Sequence, residues 1–315
     1  MAGSGALRIF HGPSESEGDS ELSRIAVELF MDGSQSFAWV YTWEQRGRFS
    51  LGPDFKDELI HFFKSISVSG AVLLERPESG APRDAELLFG NVPEFLDIRE
   101  NGANFRIRFL GTKHPGLFLD HAPLRTWLMN AKLSGKTVLN TFAYTGSLSV
   151  ACGLGGASKV TTLDLSKPTT QWGKENWELN FPPLGESASG ETSEPTGDFI
   201  YGDVFEWLPK LIKRSEKFDV VLLDPPSFSR SPKKIFSTAK DLPGLHALAF
   251  KLLQPGGILI SSINSAQISA SQFRSQIDLA AKEEKRTLKV IAPLAAPPLS
   301  FPGADYLKGW IFRVD

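Results

Sequence analysis

The 315-residue chain is poor in several residue types and patterns, and each absence excludes a class of protein. It has one cysteine, Cys152, which is too few for a disulfide framework or a cysteine metal cluster. No apolar run is long enough to span a bilayer, and the N-terminus lacks the apolar region of a signal peptide. The five histidines have no metal-like spacing. We therefore expect a cytoplasmic protein with no metal site and no membrane partner.

The chain also has no overall excess of positive charge, because 36 Asp and Glu outnumber 34 Lys and Arg and the formal net charge is −2. A nucleic-acid partner would need a local basic cluster, since phosphate contacts come from grouped Lys and Arg side chains. Two such clusters are candidates for this contact: Arg106, Arg108 and Lys113, and Arg230, Lys233 and Lys234. Either group is also compatible with an ordinary solvated loop.

The order of sequence patterns predicts two domains. Residues 1–20 are rich in Gly, Ser and Glu, and we expect a flexible N-terminus. Residues 21–125 combine short strand patterns with one helix, which predicts a small α+β accessory domain. Over residues 126–315 strands and helices alternate, which predicts a parallel sheet. Within that part, residues 181–197 are polar and of low complexity, and indicate a mobile insertion.

The most informative segment follows one of these strands. Val220–Leu223 is an apolar run typical of a strand buried on both faces. Pro225 and Pro226 have no N–H to donate, so the strand must end there. Asp224 and Phe228 are then held on a stiff loop at the carboxyl end of the strand, where open α/β sheets bind ligands. A carboxylate, proline carbonyls and an aromatic ring suit a flat base with N–H groups.

Polar residues also end the three preceding strands, at Asn140, Asp164 and Asp203. An acid near a sheet edge needs a partner or solvent, and a nucleoside cofactor would supply partners. The acid that ends the second strand is placed to accept from ribose hydroxyls. The acid that ends the third strand can accept from the adenine amino group. These positions predict a nucleoside site at one edge of the sheet.

The turn after the first strand distinguishes between cofactors. It reads Tyr144-Thr145-Gly146, with one glycine that allows close approach of the backbone. A dinucleotide would need the Gly-x-Gly-x-x-Gly cradle for its pyrophosphate, and that pattern is absent from this turn. S-adenosylmethionine has no phosphate and carries a sulfonium charge, so it suits acids and a single-glycine turn better.

Several separate motifs resemble bacterial large-subunit ribosomal RNA methyltransferases, which are class I enzymes dependent on S-adenosylmethionine. The motifs lie between about residues 105 and 315: Gly116–Arg125, Leu139–Ser147, Gly155–Val160, Asp164–Ser166, Asn176–Asn180, Asp224–Ser229 and Tyr306–Trp310. The resemblance implies a Rossmann-like α/β fold with a mostly parallel, seven-stranded sheet and a smaller N-terminal α+β domain that binds RNA. It also implies an enzyme of rRNA processing that transfers one-carbon groups to RNA.

The same resemblance implies roles for individual residues. Those implied to line the S-adenosylmethionine site are Asp120, Arg125, Asn140, Phe142, Tyr144, Thr145, Gly146, Asp164, Ser166 and Asp203. Those implied to face the target base, and to be catalytic, are Asp224, Pro225, Pro226 and Phe228.

The family has two chemistries. The cytosine-C5 branch needs a cysteine nucleophile, because C5 is not nucleophilic until a thiolate adds to C6. At the matching position this chain has Asn264, and Cys152 lies among apolar residues in a predicted helix. The chain resembles the guanine-N7 branch more closely, although the sequence is also compatible with an exocyclic amine as the target. It is compatible, too, with a catalytically silent RNA-binding or assembly module of the same fold, and with a methyltransferase for a non-RNA substrate.

Overall fold

The computed structural model describes residues 4–16, 21–44, 51–77, 84–182, 194–230, 235–265, 267–294 and 306–315. The chain divides into two compact units, one with the described residues up to Ala122 and the other with those from Pro123 onward. Most of the insertion predicted at residues 181–197 lies outside the described residues.

The first unit is built on a five-stranded sheet. Its strands and helices, in chain order, are β1 (Ser4–His11), α1 (Gly12–Glu15), β2 (Ile25–Asp32), β3 (Ser36–Trp43), α2 (Pro53–Ser65), β4 (Gly70–Arg76), β5 (Glu86–Gly90), β6 (Leu96–Glu100) and β7 (Ala103–Ile107). The sheet order follows the chain from β1 to β5, and β3 and β4 pair in parallel, while the other pairs are antiparallel. β6 and β7 form a separate hairpin.

The core of this unit explains why the predicted elements form. β2 and β3 are the central strands, and nearly all their residues are buried, which the almost continuous apolar runs require. α2 begins at Pro53, where a missing N–H costs nothing, and it buries Leu59 and Phe63 against the sheet. The expectation of a flexible N-terminus did not anticipate β1, which pairs along β2 from Ser4 to His11.

The second unit contains the larger sheet. Its strands and helices are α3 (Ala122–Asn130), β8 (Thr137–Thr141), α4 (Ser147–Leu154), β9 (Lys159–Asp164), α5 (Lys167–Asn180), β10 (Thr196–Tyr201), α6 (Val204–Lys213), β11 (Phe218–Leu223), β12 (Phe228–Arg230), β13 (Ile235–Ser237), α7 (Thr238–Leu252), β14 (Leu253–Asn264), α8 (Ala270–Glu283), β15 (Leu288–Pro293) and β16 (Leu307–Val314).

Seven of these strands form one sheet in the order β10-β9-β8-β11-β14-β16-β15. Strand pairs from β10 to β14 are parallel, and β16 is antiparallel to both of its neighbours. The predicted mostly parallel α/β sheet is therefore confirmed. From β8 the chain moves outward to β9 on one side, and it later returns to β11 on the other side. The carboxyl ends of β8 and β11 thus meet at a topological switch point, where such sheets bind ligands.

Candidate functional site

The carboxyl ends of four strands lie level at the switch point. In the sheet register Thr141 pairs with Leu163 on one side and with Leu223 on the other. On the next strand Tyr201 pairs with Asp164. Asp164 and Asp224 therefore both lie one residue beyond the level of Thr141 on the same edge. The acids that end the predicted strands had suggested this edge, and the register places Asp164 and Asp224 there.

The turn after β8 has an unusual backbone. Phe142, Tyr144 and Gly146 have φ angles of 53°, 50° and 70°, so three of five residues are left-handed. Only glycine adopts this region without steric cost, so the two aromatic residues need outside support. The Ala143 N–H donates to the Leu163 carbonyl at 3.2 Å, which ties the turn to β9. The turn is thereby held over the sheet edge.

Gly146 also lies close to a second glycine. It is the N-cap residue of α4, and a Cβ added to it would lie 3.3 Å from the Cα of Gly173 in α5. A Cβ on Gly173 would in turn lie 3.3 Å from the carbonyl carbon of Thr145. The Asn176 side chain donates to the Thr145 carbonyl at 2.9 Å. α5 therefore positions the turn through close backbone contact and one hydrogen bond.

Asp164 accepts three hydrogen bonds from its surroundings. The donors are the Tyr144 N–H at 2.8 Å, the Ser166 N–H at 2.9 Å and the Thr169 hydroxyl at 3.0 Å. Burial raises the pKa of the Asp164 carboxyl above its ordinary value, and these hydrogen bonds oppose that rise. An ionised carboxylate offers about four acceptor positions, so it can also accept from a ligand. Asp164 thus links the turn after β8 to the start of α5.

Two other predicted residues cap helices beside this acid. The Ser166 hydroxyl accepts from the Thr169 N–H at 3.4 Å at the start of α5. Asp203 begins α6, and its carboxylate accepts from the Phe205 N–H at 2.8 Å. Asp203 was predicted to end a strand, but β10 ends two residues earlier, at Tyr201. Asp203 is partly buried. The Gly202 N–H donates to the Asp164 carbonyl, so Asp203 lies on the same edge of the sheet as Asp164.

Asn140 does not lie at the open edge. It is 1% exposed, and its amide donates to the Ser149 hydroxyl of α4 at 2.9 Å. The Thr162 hydroxyl donates to the same Ser149 oxygen at 2.8 Å. The Oδ1 atom of Asn140 is buried and has no hydrogen-bond partner among the described residues. Asn140 therefore belongs to a buried polar cluster with Ser149 and Thr162, one residue before the end of β8, and not to the open edge where we expected it.

The Asp224 loop has the arrangement that the sequence suggested. Asp224 and Pro225 directly follow β11, and Pro225 is buried while Pro226 is exposed. The Asp224 carboxylate accepts from the Ser262 hydroxyl of β14 at 2.5 Å. Phe228 is 57% exposed although it is a large aromatic residue. A half-exposed ring beside a rigid acceptor is the combination required to stack on a base and read its N–H edge.

The sequence did not predict the hairpin that carries Phe228. β12 and β13 pair antiparallel, with Phe228 opposite Ser237. Phe236 of this hairpin is buried in the main core, where its ring centroid lies 5.2 Å from Phe205 and 6.1 Å from Phe142. Each strand has only three residues, so the sequence has no periodic pattern that could have revealed the hairpin. Of the basic cluster predicted nearby, Lys233 and Lys234 lie outside the described residues.

The remaining predicted residues lie elsewhere in the two units. Arg125 is fully buried in α3 of the second unit. Asp120 belongs to the first unit, in a short 3-10 turn, and is buried there. Its charge acts on buried Glu28, the pKa of which is raised mainly by burial and further by Asp120. In the other basic cluster, the Arg106 guanidinium is paired with Asp97 at 2.9 Å.

The only cysteine of the chain is inaccessible. Cys152 is fully buried in α4, and burial raises the pKa of its thiol above the ordinary value. Asn264, at the position where a cysteine nucleophile would be expected, accepts a hydrogen bond from the Ser227 hydroxyl through its backbone carbonyl. A thiolate is the reactive form of cysteine, so Cys152 is unsuited to nucleophilic attack.

The residues at the edge fit a nucleoside cofactor that carries hydroxyl and amino groups. Asp164 and Asp203 supply carboxylate acceptors at this edge. In the described part of the chain, no group of three or more His, Cys, Asp or Glu could hold a metal ion. Nor is any described helix both long and apolar enough to cross a membrane.

Comparisons with known proteins agree with this chemistry. Residues 68–313 match the model of a family described as S-adenosylmethionine-dependent methyltransferase. YwbD of Bacillus subtilis, named a candidate ribosomal RNA large subunit methyltransferase, is 29% identical over 313 residues, which are 96% of this chain and 73% of YwbD. Ribosomal RNA large subunit methyltransferase I of Photobacterium profundum is 32% identical over 251 residues, 78% of this chain and 60% of that protein.

A solved structure is similar over nearly the whole chain. SMU.776, a candidate methyltransferase crystallised with SAH, superposes with a TM-score of 0.77 at 26% identity. The match covers 98% of this chain and 75% of SMU.776. SAH is S-adenosylhomocysteine, the product left when S-adenosylmethionine loses its methyl group. Its presence in SMU.776 agrees with a nucleoside cofactor in this fold.

Proposed function

We propose that this chain, which belongs to the S-adenosylmethionine-dependent methyltransferase family, methylates N7 of a guanine in large-subunit ribosomal RNA. The observation that carries the proposal is the Asp224 loop: a fixed carboxylate, two prolines and the half-exposed Phe228 at the carboxyl end of β11. This loop lies at the same sheet edge as Asp164, so a base held by it would lie beside the cofactor.

S-adenosylmethionine, when bound, supplies a methyl group activated by the sulfonium charge. The chain would hold it through carboxylates that accept from its hydroxyl and amino groups. Asp164 would accept from the ribose hydroxyls, and Asp203 would accept from the adenine amino group. The turn from Phe142 to Gly146 would present backbone to the cofactor, since α5 and β9 already hold this turn in place.

The target base would be held by the two side chains of the Asp224 loop. Phe228 would stack on the ring of a base that has left its own stack. Asp224 would accept from the N1–H and the amino group of guanine, and would offset positive charge that develops on the ring. Guanine N7 has an in-plane lone pair and needs no deprotonation, so catalysis reduces to alignment of the nitrogen with the methyl carbon.

The inaccessibility of Cys152 favours a nitrogen target over cytosine C5. A C5 mechanism needs a thiolate at C6, and the one thiol of this chain is fully buried with a raised pKa. RNA as the substrate rests on the names of the relatives, which describe large-subunit ribosomal RNA methyltransferases. We further propose that residues 21–125 act as an RNA-binding accessory domain and that residues 126–315 carry the transfer reaction.

Substitutions in the Asp224 loop test the proposal. With S-adenosylmethionine saturating, Asp224→Ala should abolish single-turnover methyl transfer to ribosomal RNA and Phe228→Ala should strongly reduce it, while calorimetry shows unchanged cofactor affinity. Asp224→Asn should also fail, because its amide would present a donor to a donor. Phe228→Tyr should keep most of the activity, whereas Phe228→Ala should lose about 1–3 kcal/mol of base interaction.

A control separates stacking from a general effect of losing an exposed aromatic residue. Phe62 of α2 is similarly exposed, and Phe62→Ala should leave transfer unchanged. Near wild-type transfer by both Asp224→Ala and Phe228→Ala would place the base elsewhere and refute the proposal. Borohydride and aniline cleavage of the product RNA distinguishes N7-methylguanine from an exocyclic product. Absence of S-adenosylmethionine binding in calorimetry would favour a silent RNA-binding module.

A further inference from the structure

The Asp224 side chain is held by a neighbouring strand. The Ser262 hydroxyl lies 2.5 Å from Oδ1 of Asp224. An ionised carboxylate can only accept, so the Ser262 hydroxyl must donate. A hydrogen bond to a charged acceptor is shorter and stronger than one between neutral groups. Ser262 is therefore committed to Asp224 and holds it as an acceptor.

The hydrogen bond from Ser262 restricts the Asp224 side chain, which the two following prolines do not restrict. Pro225 and Pro226 restrict their own φ angles, and so stiffen the backbone after β11. They leave the two side-chain torsions of Asp224 unrestricted, since neither ring is bonded to that side chain. Asp224 is only partly buried, so packing alone does not enclose its carboxylate. A hydrogen bond from a fixed donor is the direct means of holding it in one orientation.

Ser262 is a suitable donor because its own position is fixed. It is 1% exposed, and it lies in β14 with Gly309 of β16 as its partner on one side. On the other side, Leu223 of β11 pairs with Ser261, so Ser262 is level with Asp224. Side chains alternate between the two faces of a strand, and Leu222 and Ile260 belong to the same core cluster. Asp224 and Ser262, each two residues further along, therefore share that face.

Ser261 provides a natural contrast, because it points to the opposite face. Its hydroxyl lies 2.8 Å from Nε2 of His246 in α7. The Nδ1 of His246 lies 2.7 Å from the Leu242 carbonyl, so Nδ1 carries the proton and Nε2 accepts from Ser261. Burial lowers the pKa of His246 to about 4, which keeps the ring neutral. The two adjacent serines thus make different contacts on different faces.

We propose that Ser262 is a positioning residue for methyl transfer, and that its hydrogen bond orients the Asp224 carboxylate toward the target base. The inference depends on the proposed contact between Asp224 and the base. An acceptor oriented before the substrate binds needs no reorganisation during the reaction. Because Ser262 keeps Asp224 an acceptor, the pair selects a base edge that presents N–H donors. Guanine presents N1–H and an amino group there, whereas adenine presents N1 as an acceptor.

The test compares Ser262→Ala with Ser262→Thr, with Ser261→Ala as the matched control. We expect Ser262→Ala to lower the single-turnover rate on ribosomal RNA by roughly 10- to 100-fold, the range for losing one hydrogen bond to a charged group. S-adenosylmethionine affinity and the KM for RNA should change little. Ser262→Thr retains the hydroxyl in a strand that tolerates branched side chains, and should restore most of the rate. Ser261→Ala should lower thermal stability without a comparable loss of rate.

Three outcomes would overturn the inference. An unchanged rate in Ser262→Ala would show that the action of Asp224 does not depend on the Ser262 hydroxyl. Equal losses in Ser262→Ala and Ser262→Thr would show that the hydroxyl is not the relevant group. Rate losses in Ser262→Ala and Ser261→Ala that both follow their losses of stability would indicate a structural role. If Asp224→Ala also keeps the wild-type rate, the proposed function itself fails. If Asp224→Ala is inactive while Ser262→Ala is not, only the positioning role fails.

Discussion

Gly146→Ala tests whether close backbone packing of the turn after β8 against α5 is required for stability and for cofactor binding. Gly146 has a φ of 70°, and an added Cβ would lie 3.3 Å from the Gly173 Cα. The left-handed conformation costs a non-glycine residue about 1–2 kcal/mol. The contact adds to this, because a backbone atom cannot move aside as a flexible side chain can, and overpacking typically costs about 1–3 kcal/mol. We expect the free energy of unfolding to fall by about 2–5 kcal/mol in total.

The same change should weaken cofactor binding. The Tyr144 N–H donates to Asp164 from this turn, so a shift of a few tenths of an ångström at Gly146 disturbs the carboxylate proposed to bind the ribose. A distorted hydrogen bond to a charged group should lower the affinity for S-adenosylmethionine by roughly 10- to 100-fold. Titration calorimetry with S-adenosylmethionine measures this loss, and urea unfolding measures the loss of stability.

Substitutions at two other glycines separate the effect of the left-handed backbone from the effect of close contact between the turn and α5. Gly135 has a φ of 73° and open space around its Cβ position, and it precedes β8 at the opposite edge of the sheet. Gly135→Ala should cost about 1–2 kcal/mol of stability and leave cofactor affinity unchanged. Gly173 lies in α5, where alanine is the better helix former, but its Cβ would lie 3.3 Å from Thr145. Gly173→Ala should weaken cofactor binding with little loss of stability. Wild-type affinity in Gly146→Ala, or an equal loss in Gly135→Ala, would refute this reasoning.

Three other predictions concern the titratable groups Asp164 and Cys152. Ribose hydroxyls donate to an ionised carboxylate, and the pKa of Asp164 is raised by burial, so S-adenosylmethionine affinity should fall as pH falls through that raised pKa. Calorimetry across the acid range should show this dependence in the wild type and lose it in Asp164→Asn; an identical dependence in both would exclude Asp164 as its origin. Asp164→Ala should weaken binding by about 1–3 kcal/mol, and unchanged affinity would contradict the ribose contact. Cys152→Ala should retain methyl transfer, and iodoacetamide should not label the native protein, because the thiol is buried; an inactive but folded Cys152→Ala protein would instead support a covalent C5 mechanism.

Much of the architecture could be predicted from local patterns. The predicted alternation of strands and helices over residues 126–315 is present, for example in the helix Ser147–Leu154 and the strand Lys159–Asp164. Long apolar runs and clear helical spacing identify such elements because the core accepts only those patterns. The predicted α/β fold, the enzyme class, the cofactor and the resemblance to large-subunit ribosomal RNA methyltransferases are confirmed. The guanine-N7 target and the site residues stay predictions.

Other features depended on contacts that are distant in sequence. The β12–β13 hairpin was missed because its strands have three residues each, too few for a periodic pattern. Asn140 was expected at the edge, but it lies one residue before the end of β8 and faces α4, so it bonds to Ser149 instead. The hydrogen bond from Tyr144 to Asp164 was also missed, because the two residues are 20 positions apart.

The sequence by itself determined which residues end the strands, and therefore which edge of the sheet would carry polar chemistry. These features are local. The alternation of strands and helices can be read from the pattern of each segment, and the two prolines after Asp224 end the strand because they have no N–H to donate. Only the tertiary structure decided which of two adjacent serines on β14 meets Asp224 and which meets His246. That choice depends on the register between β11 and β14, because a shift of one residue moves every side chain of a strand to the other face.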